Sequence, residues 1–263
     1  MKKIIFGLSI AALAAFGFVA ANTYRRVVNT SFGPGEHLEY RVHYGFINAA
    51  EAIVDVAPTV YKINDRPCFR VNVDGRTTGA FDLVSHIRDT WRSYIDTAAI
   101  LPQQFYYSAR EGDYRKEENV TFDHAANTAK AVEKTERDLF KVPDNVHDVI
   151  SGYYFLRTID FNKLTVGQTV EVPAFFDEVV YNMKVRYQGK DVIKTRFGKI
   201  NVIKLNPVMP ANGFFKDESA IRIWVSDDAN KVPMKAEVDL AVGSLEMDLR
   251  RYDGLRNGFS FFR

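Results

Sequence analysis

Between Ile221 and Leu249 the chain reads IRIWVSDDANKVPMKAEVDLAVGSLEMDL, and the adjacent carboxylates Asp227 and Asp228 are its clearest candidates for chemistry. Acid–base work by two carboxylates needs an apolar pocket and a partner that drive their pKa values apart. This pair instead follows an alternating run (Ile221, Ile223, Val225) and precedes another (Met234, Ala236, Val238, Leu240, Val242). It lies in the polar string Ser226 to Asn230, and Asp and Asn favour such corners because their side chains bond the local backbone. The pair reads as a hairpin corner, with Gly243-Ser244 further on as a bulge. A calcium loop would need alternating ligands, a glycine and a distal glutamate, and the stretch lacks them. Ser85-His86 could join a distant acid as a triad, a pairing that chance supplies in most chains of this length. The five histidines, His37, His43, His86, His124 and His147, show no metal-ligand spacing. GxSxG, HExxH, CxxC and phosphate-loop motifs are absent. The reading is of a protein that is not an enzyme, with no catalytic residue, metal or cofactor assigned.

The elements that would position any site are strands. Leu38, Tyr40, Val42 and Tyr44 fall on one face of HLEYRVHY and Glu39, Arg41 and His43 on the other, the pattern of a half-buried strand. Similar alternation marks EAIVDV, CFRVNVDG, WRSYI, QFYYSAR and VVYNMKVRYQGK, the last with Val179, Tyr181, Met183, Val185 and Tyr187 on one face. Turns are expected at Asn64 to Pro67, at Asp74-Gly75, at Glu111 to Asp113, and at Gln188-Gly189-Lys190, followed by two short strands around Phe197-Gly198. The charged run KAVEKTERD reads as a solvated hairpin arm or loop. One segment departs from period two. In DNVHDVISGYYFLRTIDF, Val146, Val149, Ile150, Tyr153 and Leu156 have helical spacing behind Pro143, with Asp144 as N-cap. Gly152 weakens that helix by roughly 1 kcal/mol relative to Ala.

The fold class is mainly β: a curved antiparallel sheet, as an open half-barrel or sandwich-like, with one amphipathic helix on or inside it. The expectation is one domain over residues 22–263, or two β halves, 22–143 and 164–263, joined by a helix at 144–161. The start of the chain has the three-part pattern of a secretory signal peptide: Lys2 and Lys3, the apolar run from Ile4 to Val19, then Ala20-Ala21 before Asn22. Export to the periplasm follows. Removal of residues 1–21 leaves 33 basic and 33 acidic residues, so no general charge draws the chain to nucleic acid or an anionic membrane. A single cysteine, Cys68, excludes an internal disulfide and reads as a small buried side chain. Burial must hold the fold, and 20 Phe and 13 Tyr supply the surface for it.

The segments GEHLEYRVHYGFINAAEAIVDV, WRSYIDTAAILPQQF, DVISGYYFLR and IRIWVSDDANKVPMKAEV, in this order, resemble the exported bacterial family catalogued as domain of unknown function 3108. The resemblance runs from about Gly35 to Leu249, with Ala49-Ala50 where members commonly show Ala-Gly. It implies a secreted, β-rich envelope protein and brings no catalytic residue with it. A similarity of shape alone is to the half-barrels of periplasmic lipoprotein carriers, whose curved sheet and helix enclose an apolar cavity.

Three function classes follow. The first is a periplasmic module that binds a lipid or other apolar ligand, with Tyr40, Tyr44, Tyr181, Met183 and Trp224 as candidate lining residues; Trp91 and Trp224 read equally as core. The second is a structural or assembly partner of the cell envelope, and the third a hydrolase with a site assembled from distant residues. No nucleic acid and no stable membrane insertion after signal cleavage are expected. An outer-membrane barrel is disfavoured by the terminal Arg263 and by strands that read as shorter than the ~9–11 residues of a membrane strand.

Overall fold

The computed structural model describes residues 24–133, 136–208 and 218–262. The expected signal segment 1–21, its expected cleavage point and Arg263 lie outside the described residues. The first half consists of β1 (His37–Tyr44), β2 (Ile47–Ile63), β3 (Arg66–Thr77), the short helix α1 (Gly79–Val84), β4 (Arg88–Asp96), β5 (Pro102–Glu111), β6 (Tyr114–Asp123), β7 (Thr128–Glu133) and β8 (Glu136–Lys141). Helix α2 (Val149–Leu156) and a 3-10 turn at Phe161–Lys163 follow. The second half is β9 (Thr169–Phe176), β10 (Val179–Thr195), β11 (Gly198–Val208), β12 (Ile221–Ser226), β13 (Pro233–Asp239) and β14 (Ser244–Asp253).

The fourteen strands of the described residues form one antiparallel sheet in the order β8-β7-β6-β5-β4-β3-β2-β1-β14-β13-β12-β11-β10-β9. The two β halves of the sequence are therefore one layer, not a sandwich, joined where β1 pairs with β14. The sheet is not closed into a barrel: β8 and β9 are its ends. It curls until those ends face each other, with the Phe140 and Phe175 rings 5.3 Å apart. Backbone bonds from the segment before α2 bridge to the β9 edge: His147 N donates to Pro173 O (2.8 Å) and Phe175 N donates to His147 O (2.7 Å). The concave side holds α2 and the largest buried cluster, which includes Phe32, Val71, Ile95, Phe122, Tyr154 and Phe175.

Several turns fall where their residue types place them. Asn64 and Asp65 both take positive φ (50° and 60°) between β2 and β3, as a two-residue hairpin turn requires. The Asp227-Asp228 stretch is the corner between β12 and β13. Asp228 Oδ1 accepts from Ser226 Oγ (2.8 Å), Asn230 N (2.8 Å) and Lys231 N (3.2 Å). Cys68 is fully buried, and burial pushes its thiol pKa up to about 12. Of the KAVEKTERD run, the described residues 130–133 and 136–138 lie in the paired strands β7 and β8.

Other expectations are corrected. Asp74-Gly75 does not turn the chain. Both lie within β3, and Gly75 has the Trp91 ring over its Cα, so its missing side chain accommodates an aromatic neighbour. Gln188-Gly189-Lys190 is not a turn either: β10 runs through it for 17 residues, and the register against β11 shifts between Tyr187 and Lys190, with Gly189 at φ 95°. It is a bulge. Conversely, Gly243, expected as a bulge, sits in the β13–β14 turn, where Asp239 pairs with Ser244. A Cβ at Gly243 would collide with the Tyr44 ring. Strand length also departs from expectation, because β2 and β10 reach 17 residues each by absorbing such irregularities.

Candidate functional site

Helix α2 is shorter than the expected 144–161 and starts later. Asn145 takes φ 56°, which interrupts any helix begun at Asp144, and Asp144 instead accepts a bond from Asn127 Nδ2. The cap is Asp148. Its Oδ1 accepts from Ile150 N (2.8 Å) and Ser151 N (2.7 Å), and Ser151 Oγ accepts from Asp148 N (3.0 Å), a reciprocal capping box. Ser93 Oγ on β4 donates to Asp148 Oδ2 (2.6 Å), which pins the helix start to the sheet. Burial raises the Asp148 pKa to about 6 against these opposing hydrogen bonds.

The other end of α2 is tied by Arg157. Its Nη1 and Nη2 donate to the two Glu36 oxygens, Nε donates to Asn230 O (2.9 Å), and Tyr154 OH donates to Glu36 Oε1 (3.1 Å). Ser31 Oγ returns a bond to Arg157 O (2.7 Å). These residues come from three distant stretches, 31–36, 154–157 and the corner at Asn230, and all are buried. The buried charges are thus paired and hydrogen-bonded, the condition under which ions are tolerated in a core.

Between α2 and the middle of the sheet lies a cavity of about 350 Å³. From the helix it is lined by Ile150, Tyr153 and Leu156, from the first half of the sheet by Tyr40, Val54 and Trp91. Leu205, Val225, Ala236 and Met247 complete the wall from the second half. Almost the whole lining is hydrocarbon or aromatic. Tyr40, Tyr153, Tyr154, Arg157 and Lys231 also border it, presenting almost none of their polar surface to it. The volume is in the range of small-molecule sites, about 300–1,000 Å³, and far above the water-sized voids of an ordinary core.

Of the five candidate lining residues, Tyr40 faces the cavity. Tyr44 lies at the end of β1, its ring against Phe81 and its hydroxyl donating to Val242 O (3.2 Å). Tyr181 is 44 % exposed near the β9–β10 turn. Met183 lies against Gly152 of α2, its methyl 3.5 Å from where a Cβ would stand, so the helix packs where a ligand would otherwise reach. Trp224 is buried between Lys204 and Lys235, whose Nζ atoms lie 5.4 and 5.6 Å from its ring centre. Its strand neighbours Ile223 and Val225 line the cavity, as alternation along β12 dictates. Trp91 also lines it, stacked on Tyr107 at 5.3 Å. Glu36, Arg157 and Lys231 escaped the sequence reading. In sequence they resemble surface charges, and no spacing links them.

Two serine–histidine pairs bear on hydrolysis. Ser151 Oγ lies 3.2 Å from His147 Nδ1, but His147 Nε2 lies 2.7 Å from the Arg25 guanidinium rather than a carboxylate. Both side chains are fully buried, and burial with the Arg25 charge holds the imidazole well below its ordinary pKa. At the surface His86 Nδ1 is 3.3 Å from Asp82 Oδ1, while Asp82 is already bound by Arg88 (2.7 and 3.1 Å) and Thr77 (2.8 Å). Neither set carries the nucleophile–base–acid relay of a triad. Among the described residues no helix is long and apolar enough to cross a membrane.

Comparison with solved structures gives a likeness to a β-barrel-like protein of domain of unknown function 1849 from Brucella abortus, with TM-score 0.56 and 8 % identity, covering 85 % of this chain and 99 % of that one. That is a likeness of fold. A protein assigned as a lipoprotein from Parabacteroides distasonis (TM-score 0.33, 10 % identity, 87 % and 99 % covered) is more distant. So is one assigned as exported, with a YmcC-like fold, from Bacteroides fragilis (0.31, 12 %, 88 % and 100 %). A comparison with functionally curated proteins gives no match. The model of the family described as protein of unknown function DUF3108 matches residues 39–250, from the start of β1 to the last strand, and the chain belongs to that family.

Proposed function

We propose that the protein is an exported, periplasmic, non-enzymatic binding protein that holds a lipid or other apolar ligand between α2 and the concave face of its sheet. The observation that carries this reading is the cavity of about 350 Å³, walled by aromatic and aliphatic side chains of both β halves. A core built only for stability would close over such a space, since each unfilled volume forfeits dispersion contacts. The leader pattern of residues 1–21 supports the address. The test is mass spectrometry of organic extracts from the purified mature protein, paired with titration of the delipidated protein by an apolar naphthylamine dye. Dye binding with a Kd in the micromolar range or tighter is the expected outcome; no co-purifying lipid and no dye binding would refute the proposal.

An envelope assembly partner is the second reading, favoured by one rim of the sheet. Phe46 (97 % exposed) at the β1–β2 turn, Leu83 and Val84 in α1, and Val242 at the β13–β14 turn all project there around Tyr44. Exposed apolar groups gathered at one end mark contact surfaces. Crosslinking in intact cells, lost on changing Phe46 and Leu83 to Ser, would move the weight to this role.

A further inference from the structure

We propose that the protein docks reversibly on an anionic lipid bilayer through the rim formed by α1 and the β1–β2 and β5–β6 turns, its apolar tips at the hydrocarbon boundary and a row of arginines on the lipid phosphates. The proposal stands on residues outside the cavity and goes beyond the ligand-binding reading. Helix α1 carries the apolar part: none of its six residues is buried, and Leu83 and Val84 are 90 % and 89 % exposed. The helix is nonetheless held firmly. Arg88 donates to both Asp82 oxygens (2.7 and 3.1 Å), and Thr77 Oγ1 lies 2.8 Å from both Asp82 Oδ1 and Ser85 O. Thr78 N donates to Ala49 O (2.9 Å) and the Phe81 ring lies 6.0 Å from that of Tyr44, which fixes α1 beside the β1–β2 hairpin. Phe46 at the tip of that hairpin is 97 % exposed, and Tyr114 at the β5–β6 turn is also exposed. A helix tied down by polar bonds while its leucine and valine face outward presents them to an apolar phase outside the fold.

Directly behind these tips, on the convex face, four arginines stand side by side across adjacent strands. Arg76 on β3 pairs with Arg88 on β4, and Arg110 on β5 with Arg115 on β6. Ile87 bridges to Glu111 and Thr90 pairs with Ser108, which sets Arg88 beside Arg110. Arg76, Arg88 and Arg110 line one groove there. Like charges on neighbouring strands oppose sheet pairing. Two of the four are balanced, Arg76 by Glu51 (2.9 Å) and Arg88 by Asp82. Arg115 bonds only carbonyls of its own turn, and the Arg110 guanidinium makes no ion pair or hydrogen bond among the described residues. Both are exposed. Of the acids in that turn, Glu111 falls on the concave face by alternation, and Asp113 stands at the tip. Apolar tips backed by unbalanced arginines reproduce the layers of an anionic bilayer surface, hydrocarbon and then phosphate. A protein partner would need a separate pocket for each of these spaced tips, whereas a fluid bilayer takes them in any arrangement. With a formal net charge of only +2 over the whole sequence, the attraction is local to this rim.

The experiment floats the full-length mature protein with vesicles of phosphatidylcholine alone and of phosphatidylcholine mixed equally with phosphatidylglycerol, at low and high salt. Native protein is expected to partition to the anionic vesicles at least about ten-fold more strongly than to the neutral ones, and to be released by salt. Arg110→Gln with Arg115→Gln should remove most of that preference, and Phe46→Ser with Leu83→Ser should weaken binding to both vesicle types. An unchanged urea midpoint shows that each variant is folded, and the dye titration reports the cavity separately. Phe46→Trp should gain a blue-shifted emission when anionic vesicles are added. No flotation of native protein with anionic vesicles, an unshifted Phe46→Trp emission, or flotation indifferent to both pairs of substitutions would overturn the proposal and leave the ligand-binding reading in place. A dimer that is lost in Phe46→Ser with Leu83→Ser, without vesicle binding by native protein, would assign the rim to a second copy of the chain and overturn it as well.

Discussion

Arg157 and Glu36, 121 residues apart, meet in a buried two-pronged ion pair, with Nη1 2.5 Å from Oε1 and Nη2 2.7 Å from Oε2. Through it the last turn of α2 is fixed to the chain that enters β1, and through Nε to the β12–β13 corner. Removing one member of such a pair leaves the other charged and dry. Glu36→Gln should therefore cost about 3–5 kcal/mol, read as a lower urea midpoint. Glu36→Gln combined with Arg157→Met should be less damaging than the sum of the single changes.

Filling the cavity separates a binding site from a loosely drawn core. Ala236 lines it, so Ala236→Phe should lower dye affinity at least ten-fold with little change in the urea midpoint. Met183 is packed on Gly152, and Met183→Trp should instead cost roughly 1–3 kcal/mol by overpacking. A dye titration and a urea curve on each variant check both statements.

The two adjacent aspartates should differ. Asp228 takes three corner bonds, and Asp228→Ala should cost on the order of 1–2 kcal/mol, because donors from Asn230 and Lys231 lose their acceptor. Asp227 contributes one ion pair, with the half-exposed Lys190, and Asp227→Ala should change stability by less than about 1 kcal/mol. Thermal unfolding of the two variants side by side measures the difference.

Asp148 makes a contribution that depends on pH. Its pKa is raised to about 6 in the folded chain, so between the ordinary carboxylate range and pH 6 the folded state holds a proton that the unfolded state has lost. Stability contributed by this group is fully present at lower pH and falls as pH rises through about 6. Asn caps helices as well as Asp does. The stability of Asp148→Asn relative to native should thus grow from pH 4 to pH 6 and then level, by an amount on the order of 3 kcal/mol. Urea unfolding of both proteins at a series of pH values gives that difference directly.

The sheet was legible because its residues alternate wherever one face is buried, as from Leu38 to Tyr44 and from Val179 to Tyr187. Glycine punctuation misled the reading, because Gly75 and Gly189 serve within strands, one beneath an aromatic ring and the other at a bulge. The helix start was misplaced because the left-handed turn at Asn145 leaves no mark that separates Asp144 from Asp148 as caps. Tyr40 and Trp91 were legible as aromatic strand residues. Lys231 and the Glu36–Arg157 pair were not, since their meaning arises only when the curled sheet brings three distant stretches to one end of α2.

The pairing of the first strand with the last has a consequence for the order of assembly. β1 needs β14 along its second edge, and Tyr44 pairs with Leu245 across 200 intervening residues. During synthesis β2 to β8 can zip as successive hairpins, whereas the β1 edge stays open until β14 has appeared. The joining step closes a loop spanning most of the chain, which makes it slow. Throughout that interval the apolar concave face of the first half is uncovered. A chain of this topology is a natural client for a holding chaperone until its last strand arrives.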